Sequence, residues 1–253
     1  MRRQPVMGEH LGYALVTGAS SGIGAATARR LATSGYEVIA AARRLDRLEK
    51  LAASTPGIRA VRLDVTSQEG ILELSSSIDD LAVLVNNAGG AIGRETIGRA
   101  DPADWLDMYE TNVLGVLRIT QALLPALEKG AGGHVVVVSS IAGRAVYEGG
   151  GGYAVAKHGT AALTQTLRLE LNGRPIRVTE IAPGMVHTEE FSLVRFRGDR
   201  EAAELVYDGM KALDAEDVAD AIAFAVTRPA HVNIDLITMM PLAQASPTKV
   251  ARH

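Results

Sequence analysis

Tyr153 and Lys157 stand four residues apart in a G-Y-A-V-A-K-H-G stretch that reads as the start of a helix. Four residues is one helical turn, so the phenol and the ammonium project from one face. A free tyrosine ionises near ~10, too high for proton transfer at neutral pH. A cation one turn away stabilises the phenolate and lowers that value, as a general acid/base requires. An isolated Y-x-x-x-K also arises by chance as an aromatic–lysine pair on a helix surface. The elements around the pair must decide between the two readings.

Those elements alternate along the whole chain. Strand-like apolar runs lie at 13–17, 37–42, 58–64, 81–87, 134–140, 176–183 and 232–240, with helix-like patterns at 22–34, 44–53, 67–77, 102–129, 152–172 and 215–227. Solid runs such as Val135-Val136-Val137-Val138 suit strands covered on both faces. The alternation predicts an α/β fold: one doubly wound, Rossmann-type parallel sheet of seven strands with right-handed crossovers. No composition shift or fixed-period repeat marks a second domain, so residues 1–253 read as one domain with an N-terminal tail at 1–12. The stretch 184–213 is too long for an ordinary connection and reads as a substrate lid.

Composition narrows the partners. The 253 residues carry a net charge of −3 and no long basic run, which argues against nucleic acid and anionic membrane. There are no cysteines, hence no disulfides and no thiolate metal site. No apolar run reaches the ~18 residues of a spanning helix. The basic start Met1-Arg2-Arg3-Gln4-Pro5 lacks an apolar continuation, so a cytoplasmic location is expected.

The first strand runs into Thr17-Gly18-Ala19-Ser20-Ser21-Gly22-Ile23-Gly24 and an Ala-rich helix. Glycines at such a turn let backbone approach a pyrophosphate, and the helix start supplies free N–H donors. A tight turn alone also needs glycine, but the position after strand one favours a dinucleotide. The second strand ends in Ala42-Arg43-Arg44, where NAD sites place an acidic residue against the ribose 2′-hydroxyl. Arginine is mildly disfavoured at a helix start, whereas a 2′-phosphate would use guanidinium groups well. This predicts NADP(H) as cofactor, against the plainer reading of a solvated basic helix start that includes Arg47.

Strand four ends in Asn86-Asn87-Ala88-Gly89, and strand five ends in Ser139-Ser140, thirteen residues before Tyr153. Asn112 lies in the helix between them. Singly these are turn, cap or helix-surface residues. In this order, T-G-x-x-x-G-x-G, N-N-A-G, N, S-S, Y-x-x-x-K and P-G resemble the short-chain dehydrogenase/reductase family over nearly the whole chain.

The resemblance implies a role for each matching residue. Tyr153 would be the acid/base, with Lys157 lowering its pKa and binding the nicotinamide ribose. Ser140 would hold the substrate oxygen, and Asn112 a water linking Lys157 to solvent. Gly18, Ser20, Ser21, Gly22, Ile23 and Gly24 would cradle the phosphates, and Arg43 and Arg44 the 2′-phosphate. Asp64 and Val65 would meet the adenine, and Asn86, Ala88 and Gly89 would line the cofactor channel. Pro183, Gly184, Val186 and Thr188 would hold the carboxamide. No metal is implied, since hydride and proton are both supplied. Homotetramers that bury helices 102–129 and 152–172 are implied as well, although simple packing on the sheet explains the same apolar positions.

The stretch 183–199 and the tail 229–241 look more closely like NADP-dependent 3-hydroxy acid dehydrogenases, which act on serine, allo-threonine and related hydroxy acids or their semialdehydes. A carboxylate substrate calls for a guanidinium. Arg195 in the lid and Arg144 after strand five are the candidates, with Tyr147 as a pocket wall, although either arginine also suits a surface ion pair. A broader aldehyde or ketone reductase would share every catalytic residue. A non-catalytic NADP-sensing protein typically loses the tyrosine or lysine that this chain keeps. The four glycines Gly149-Gly150-Gly151-Gly152 before Tyr153 predict a loop that orders only with ligand, because ordering glycine costs entropy.

Overall fold

Short Val-, Ile-, Leu- and Ala-rich runs form the strands β1 (Tyr13–Thr17), β2 (Glu37–Ala42), β3 (Ile58–Arg62), β4 (Val83–Asn86), β5 (Gly133–Val138), β6 (Ile176–Pro183) and β7 (Leu236–Met239) in the computed structural model, which describes residues 11–129 and 132–253. They make one sheet in the order β3-β2-β1-β4-β5-β6-β7, every neighbouring pair parallel. The expected N-terminal tail falls, up to residue 10, outside the described residues.

The helices are α1 (Gly22–Thr33), α2 (Leu45–Ser54), α3 (Gln68–Ser76), α4 (Pro102–Tyr109), α5 (Gly115–Lys129), α6 (Gly151–Glu170), α7 (Phe191–Arg195), α8 (Arg200–Leu205) and α9 (Ala215–Val226). Because strand side chains alternate, Leu15 and Val16 face opposite sides of the sheet. Val16, Val85 and Val136 bury one face with Leu31 of α1, Leu48 of α2 and Ile222 of α9. Leu15, Leu84 and Val137 bury the other with Ile71 of α3 and Ile119 and Leu123 of α5. Each such aliphatic side chain contributes about 1.5–3 kcal/mol on removal from water.

The chain leaves β1 outward to β3 and then returns to β4 on the other side of β1. The loops leaving β1 and β4 therefore diverge and open a crevice at their carboxyl ends, the place where such sheets bind ligands.

The run 102–129, expected as one helix, is divided. Between α4 and α5 lies a π-helical turn, Glu110–Leu114, with Asn112 at its middle. Asn112 Nδ2 donates to the Met108 carbonyl at 2.7 Å, and the Asn112 carbonyl accepts from Thr160 Oγ1 of α6 at 2.9 Å. A side chain that competes for its own helix ladder favours such a bulge, a feature common at functional sites. The irregular stretch 184–213 carries the short helices α7 and α8 and is closed by a Val186–Leu213 bridge.

Candidate active site

The crevice has a volume of about 1300 Å³ and runs from the β1–α1 turn to the lid. At the turn, Gly18 has φ +65°, and a Cβ there would sit 2.9 Å from Ala88 Cα. A Cβ on Gly24 would lie 2.3 Å from the Gly18 carbonyl oxygen. Only glycine fits either position. Thr17 and Asn87 weld this turn to the end of β4. The backbone N–H groups of Asn87 and Ala88 each donate to Thr17 Oγ1 at 3.0 Å, and Asn87 Nδ2 donates to the Thr17 carbonyl at 2.9 Å.

At the end of β2, Arg44 Nη2 donates to Ser20 Oγ at 2.8 Å and Ser21 Oγ at 3.1 Å. Arg44 also pairs with Glu190, as does Arg47 at 2.6 Å. Arg43 lines the crevice near Asp64. Burial pushes the Asp64 carboxyl up, but two hydrogen bonds from Thr66 and the charge of Arg43 outweigh it and hold it low.

At the other end, Tyr153 and Lys157 lie on α6 and are buried. The Tyr153 ring meets Phe191 edge-on at 5.7 Å, with the Arg195 guanidinium 5.7 Å and Lys157 Nζ 5.8 Å from its centre. Burial pushes the phenol up to about 12, against the downward pull of a Ser140 hydrogen bond and of Arg195. Lys157 Nζ donates to the Val138 carbonyl at 3.0 Å. Burial brings its pKa down to about 8, partly countered by the charge of Glu180. Desolvation is the largest influence on the phenol, and it outweighs the downward pull of Ser140 and Arg195.

A short chain dehydrogenase family model matches residues 12–195. The chain belongs to the short-chain dehydrogenase family. It is 52% identical over 240 residues, 95% of each chain, to an uncharacterized oxidoreductase of Mycobacterium tuberculosis. It is 40% identical over 236 residues, 91% of this chain and 95% of the other, to the NADP-dependent 3-hydroxy acid dehydrogenase YdfG of Salmonella typhi. The structure of a closed form of serine dehydrogenase complexed with NADP+ superposes with a TM-score of 0.90 at 38% identity, covering 95% of this chain and 99% of that one.

This short-chain dehydrogenase brings most of the sequence-predicted residues to the crevice wall. Gly18, Ser20, Ser21, Gly22, Ile23, Arg43, Arg44, Asp64, Val65, Ala88 and Gly89 line the cofactor end, and Pro183, Gly184, Val186 and Thr188 the middle. Asn112, Ser140, Tyr147, Tyr153, Lys157 and Arg195 line the far end. Ser140 Oγ accepts from the Ala142 N–H at 3.1 Å, which fixes the hydroxyl at the end of β5.

Three residues fall elsewhere. Asn86 points into the α5 side and donates to Thr120 Oγ1 at 2.9 Å, so Asn87 takes the crevice position instead. Gly24 packs against backbone behind the turn. Arg144 is off the crevice wall, paired with Glu180, whose side chain is only 1% exposed. A buried carboxylate requires a counter-charge, and Arg144 supplies it, which removes it as a substrate clamp.

The other surprises have packing causes. The Asn112 side chain is spent on backbone, donating to Gly90 and Met108 carbonyls and accepting from the Gly90 N–H at 3.2 Å. It ties the β4 loop to the π turn. The glycine run before Tyr153 packs closely, with Gly151 and Gly152 already in α6. Added Cβ atoms would strike the Tyr147 ring from Gly150 at 2.4 Å, Trp105 from Gly151 at 2.8 Å and Met108 from Gly152 at 2.5 Å. The glycines let α6 begin against these side chains. The sequence reading gives Thr17, Asn87, Thr160 and Glu190 no role, although Thr17 opens T-G-x-x-x-G-x-G and Asn87 is the second Asn of N-N-A-G.

Proposed function

We propose that this protein is an NADP(H)-dependent oxidoreductase that moves a hydride between the nicotinamide and a small 3-hydroxy acid or its semialdehyde. The glycine turn whose positions exclude a Cβ, together with the Arg44–Ser20–Ser21 cluster, fits a dinucleotide with a 2′-phosphate. The names of the YdfG relative and of the NADP+-bound serine dehydrogenase support the same cofactor. When bound, the cofactor supplies or accepts the hydride at the substrate carbon. The chain's own residues handle the proton.

In the reductive direction the Tyr153 phenol gives its proton to the carbonyl oxygen as that oxygen gains charge, with Ser140 beside it as a second hydrogen-bonding group. The phenolate left behind is stabilised by Arg195 and by Lys157, both within 6 Å of the ring. In oxidation the same atoms run in reverse. Asn112 ties the β4 loop to the π turn, and on the crevice wall with Lys157 it would hold the water that links that lysine to solvent.

The substrate class rests on Arg195. Its guanidinium lies 5.4 Å from the Tyr147 ring and 5.7 Å from the Tyr153 ring, and its Nε is buried with no hydrogen-bond partner. An unpaired buried donor beside the catalytic phenol is costly on its own and suits a bidentate carboxylate. Arg195→Ala should cut kcat/KM for hydroxy acids by about 100-fold, the value of a lost charge-assisted pair, and change neutral alcohols or aldehydes only slightly. Equal losses on both classes would refute the clamp. A cysteine-free NADP(H) enzyme suits the cytoplasm, and among the described residues no helix is long and apolar enough to cross a membrane.

A further inference from the structure

Glu180 stands inside β6, a strand covered on both faces, and the reaction above does not use it. Strand alternation puts it on the face of Val178, whose core cluster includes Leu123 of α5 and draws in Leu163 and Leu167 of α6. Glu180 therefore lies between the sheet and α6. Its Oε2 accepts from Arg144, while its Oε1 is buried with no hydrogen-bond partner. Ser139 Oγ, just past β5 on the face of Val137, is also buried and unpartnered. Stability does not explain these groups. A buried ion pair can often be replaced by apolar side chains without loss, and an unpaired buried oxygen costs free energy.

The neighbouring strand supplies an explanation. Glu180 is in register with Val137 and Ile181 with Val138, and Lys157 Nζ donates to the Val138 carbonyl at 3.0 Å. The ammonium is thus pinned to the strand beside that of Glu180, and such strands lie about 4.8 Å apart. The turn that carries Arg144 presses on the same residue, since a Cβ on Gly143 would lie 2.6 Å from the Lys157 carbonyl oxygen. Few other titratable or charged groups face the ammonium. On α6 the Tyr153 ring centre is 5.8 Å from Nζ, and beyond that ring lie Arg195 and Tyr147. The π turn and the β4 loop offer only neutral Asn112 and Gly89. Among the described residues, Glu180 is the carboxylate whose charge draws the Lys157 pKa up against burial.

We propose that Glu180 is a positioning residue for the reaction, a fixed counter-ion that keeps the Lys157 ammonium charged beside the phenolate. This rests on the reading of Tyr153 and Lys157 as the pair that handles the proton.

Arg144 completes the device. Its side chain is 34% exposed and that of Glu180 1%, so water screens the positive end of the pair more than the negative end. The negative end is the one that faces Lys157. The lysine stabilises the phenolate only as a cation. Without Glu180, burial would strip its proton at lower pH, and the phenolate would lose one of its two nearby charges.

The test reads Lys157 directly. The chain has five lysines, so with lysine isotope-labelled at Cε the Lys157 NMR signal is the one that vanishes in Lys157→Met. In the native protein that signal should titrate near about 8. Glu180→Gln should lower the midpoint by about one pH unit, the pull of a nearby opposite charge. Glu180→Asp keeps the charge and should restore most of the shift. The double variant Arg144→Met with Glu180→Leu replaces the pair by apolar groups. It should fold as stably as the native protein and still show the lowered midpoint, which a merely structural role would not produce. In reduction assays the alkaline fall of kcat should begin about one pH unit lower in Glu180→Gln than in the native enzyme.

A midpoint unmoved in Glu180→Gln, or in the double variant if the single one does not fold, would overturn the inference and leave the functional reading intact. A lowered midpoint with an unmoved kcat profile would overturn it too, because the reaction would then be indifferent to the charge. If the native enzyme turns over no hydroxy acid or carbonyl compound, the functional reading fails and takes the role of Glu180 with it.

Discussion

A phenol that ionises near about 12 is a poor base at neutral pH and a ready acid. Its pH behaviour follows from that sign. Reduction should be flat through neutral pH, because the required protonated phenol is fully present. Oxidation, which needs the phenolate, should keep rising into the alkaline range. Initial rates in both directions across pH check this, and an oxidation rate that levels off near neutrality would contradict it. Tyr153→Phe should abolish both directions while leaving NADPH affinity, measured by fluorescence titration, near native.

Lys157 makes a second prediction at the same scale. Its folded pKa, about 8, lies below the ordinary lysine value of 10.5. Below about 8 the lysine is charged in both states and its burial destabilises the fold. Between the two values the unfolded chain binds more protons, so stability rises with pH, and above both the penalty is gone. Lys157→Met should therefore stabilise the protein by about 1–3 kcal/mol near neutral pH, with the gain shrinking toward about pH 10. Denaturant unfolding at the two pH values measures it, and activity should fall sharply in the same variant.

At the scale of elements, the sheet and the β1–α1 turn were legible because their signals are local. Solid apolar runs mark covered strands, and glycines at Gly18 and Gly24 mark backbone contact. The π turn at Asn112 was not legible. It depends on Thr160, 48 residues away, accepting the role of partner to a displaced carbonyl. Arg144 was misread for a related reason, since nothing near it in sequence announces the buried Glu180 on β6.

The glycine run before Tyr153 shows only its entropy cost in the sequence, whereas its close approach to Tyr147, Trp105 and Met108 depends on residues distant along the chain. Gly152→Ala should consequently lower stability by about 1–3 kcal/mol, a typical overpacking cost, and reduce kcat by tilting the start of α6. Thermal unfolding together with steady-state kinetics reads both effects. Native values in both would show that Trp105 and Met108 yield freely.

At the scale of the whole molecule, Leu106 and Tyr109 on α4 and Val155 on α6 are exposed apolar side chains on two helices that pack together. We expect homotetramers that cover them, with a light-scattering mass four times the 26.7 kDa chain. A monomer at micromolar concentration would count against that. The crevice joins two guanidinium groups, Arg44 after the end of β2 and Arg195 beside the buried phenol of α6.

The most direct test of that account is turnover by nicotinamide absorbance, with NADP+ or NAD+ supplied against serine, allo-threonine, 3-hydroxyisobutyrate and matched neutral alcohols. The account predicts NADP+ reduction with at least one hydroxy acid, at a kcat/KM well above that for NAD+ or for the alcohol lacking the carboxylate. Equal use of neutral alcohols, equal use of NAD+, or no turnover with any substrate would contradict it.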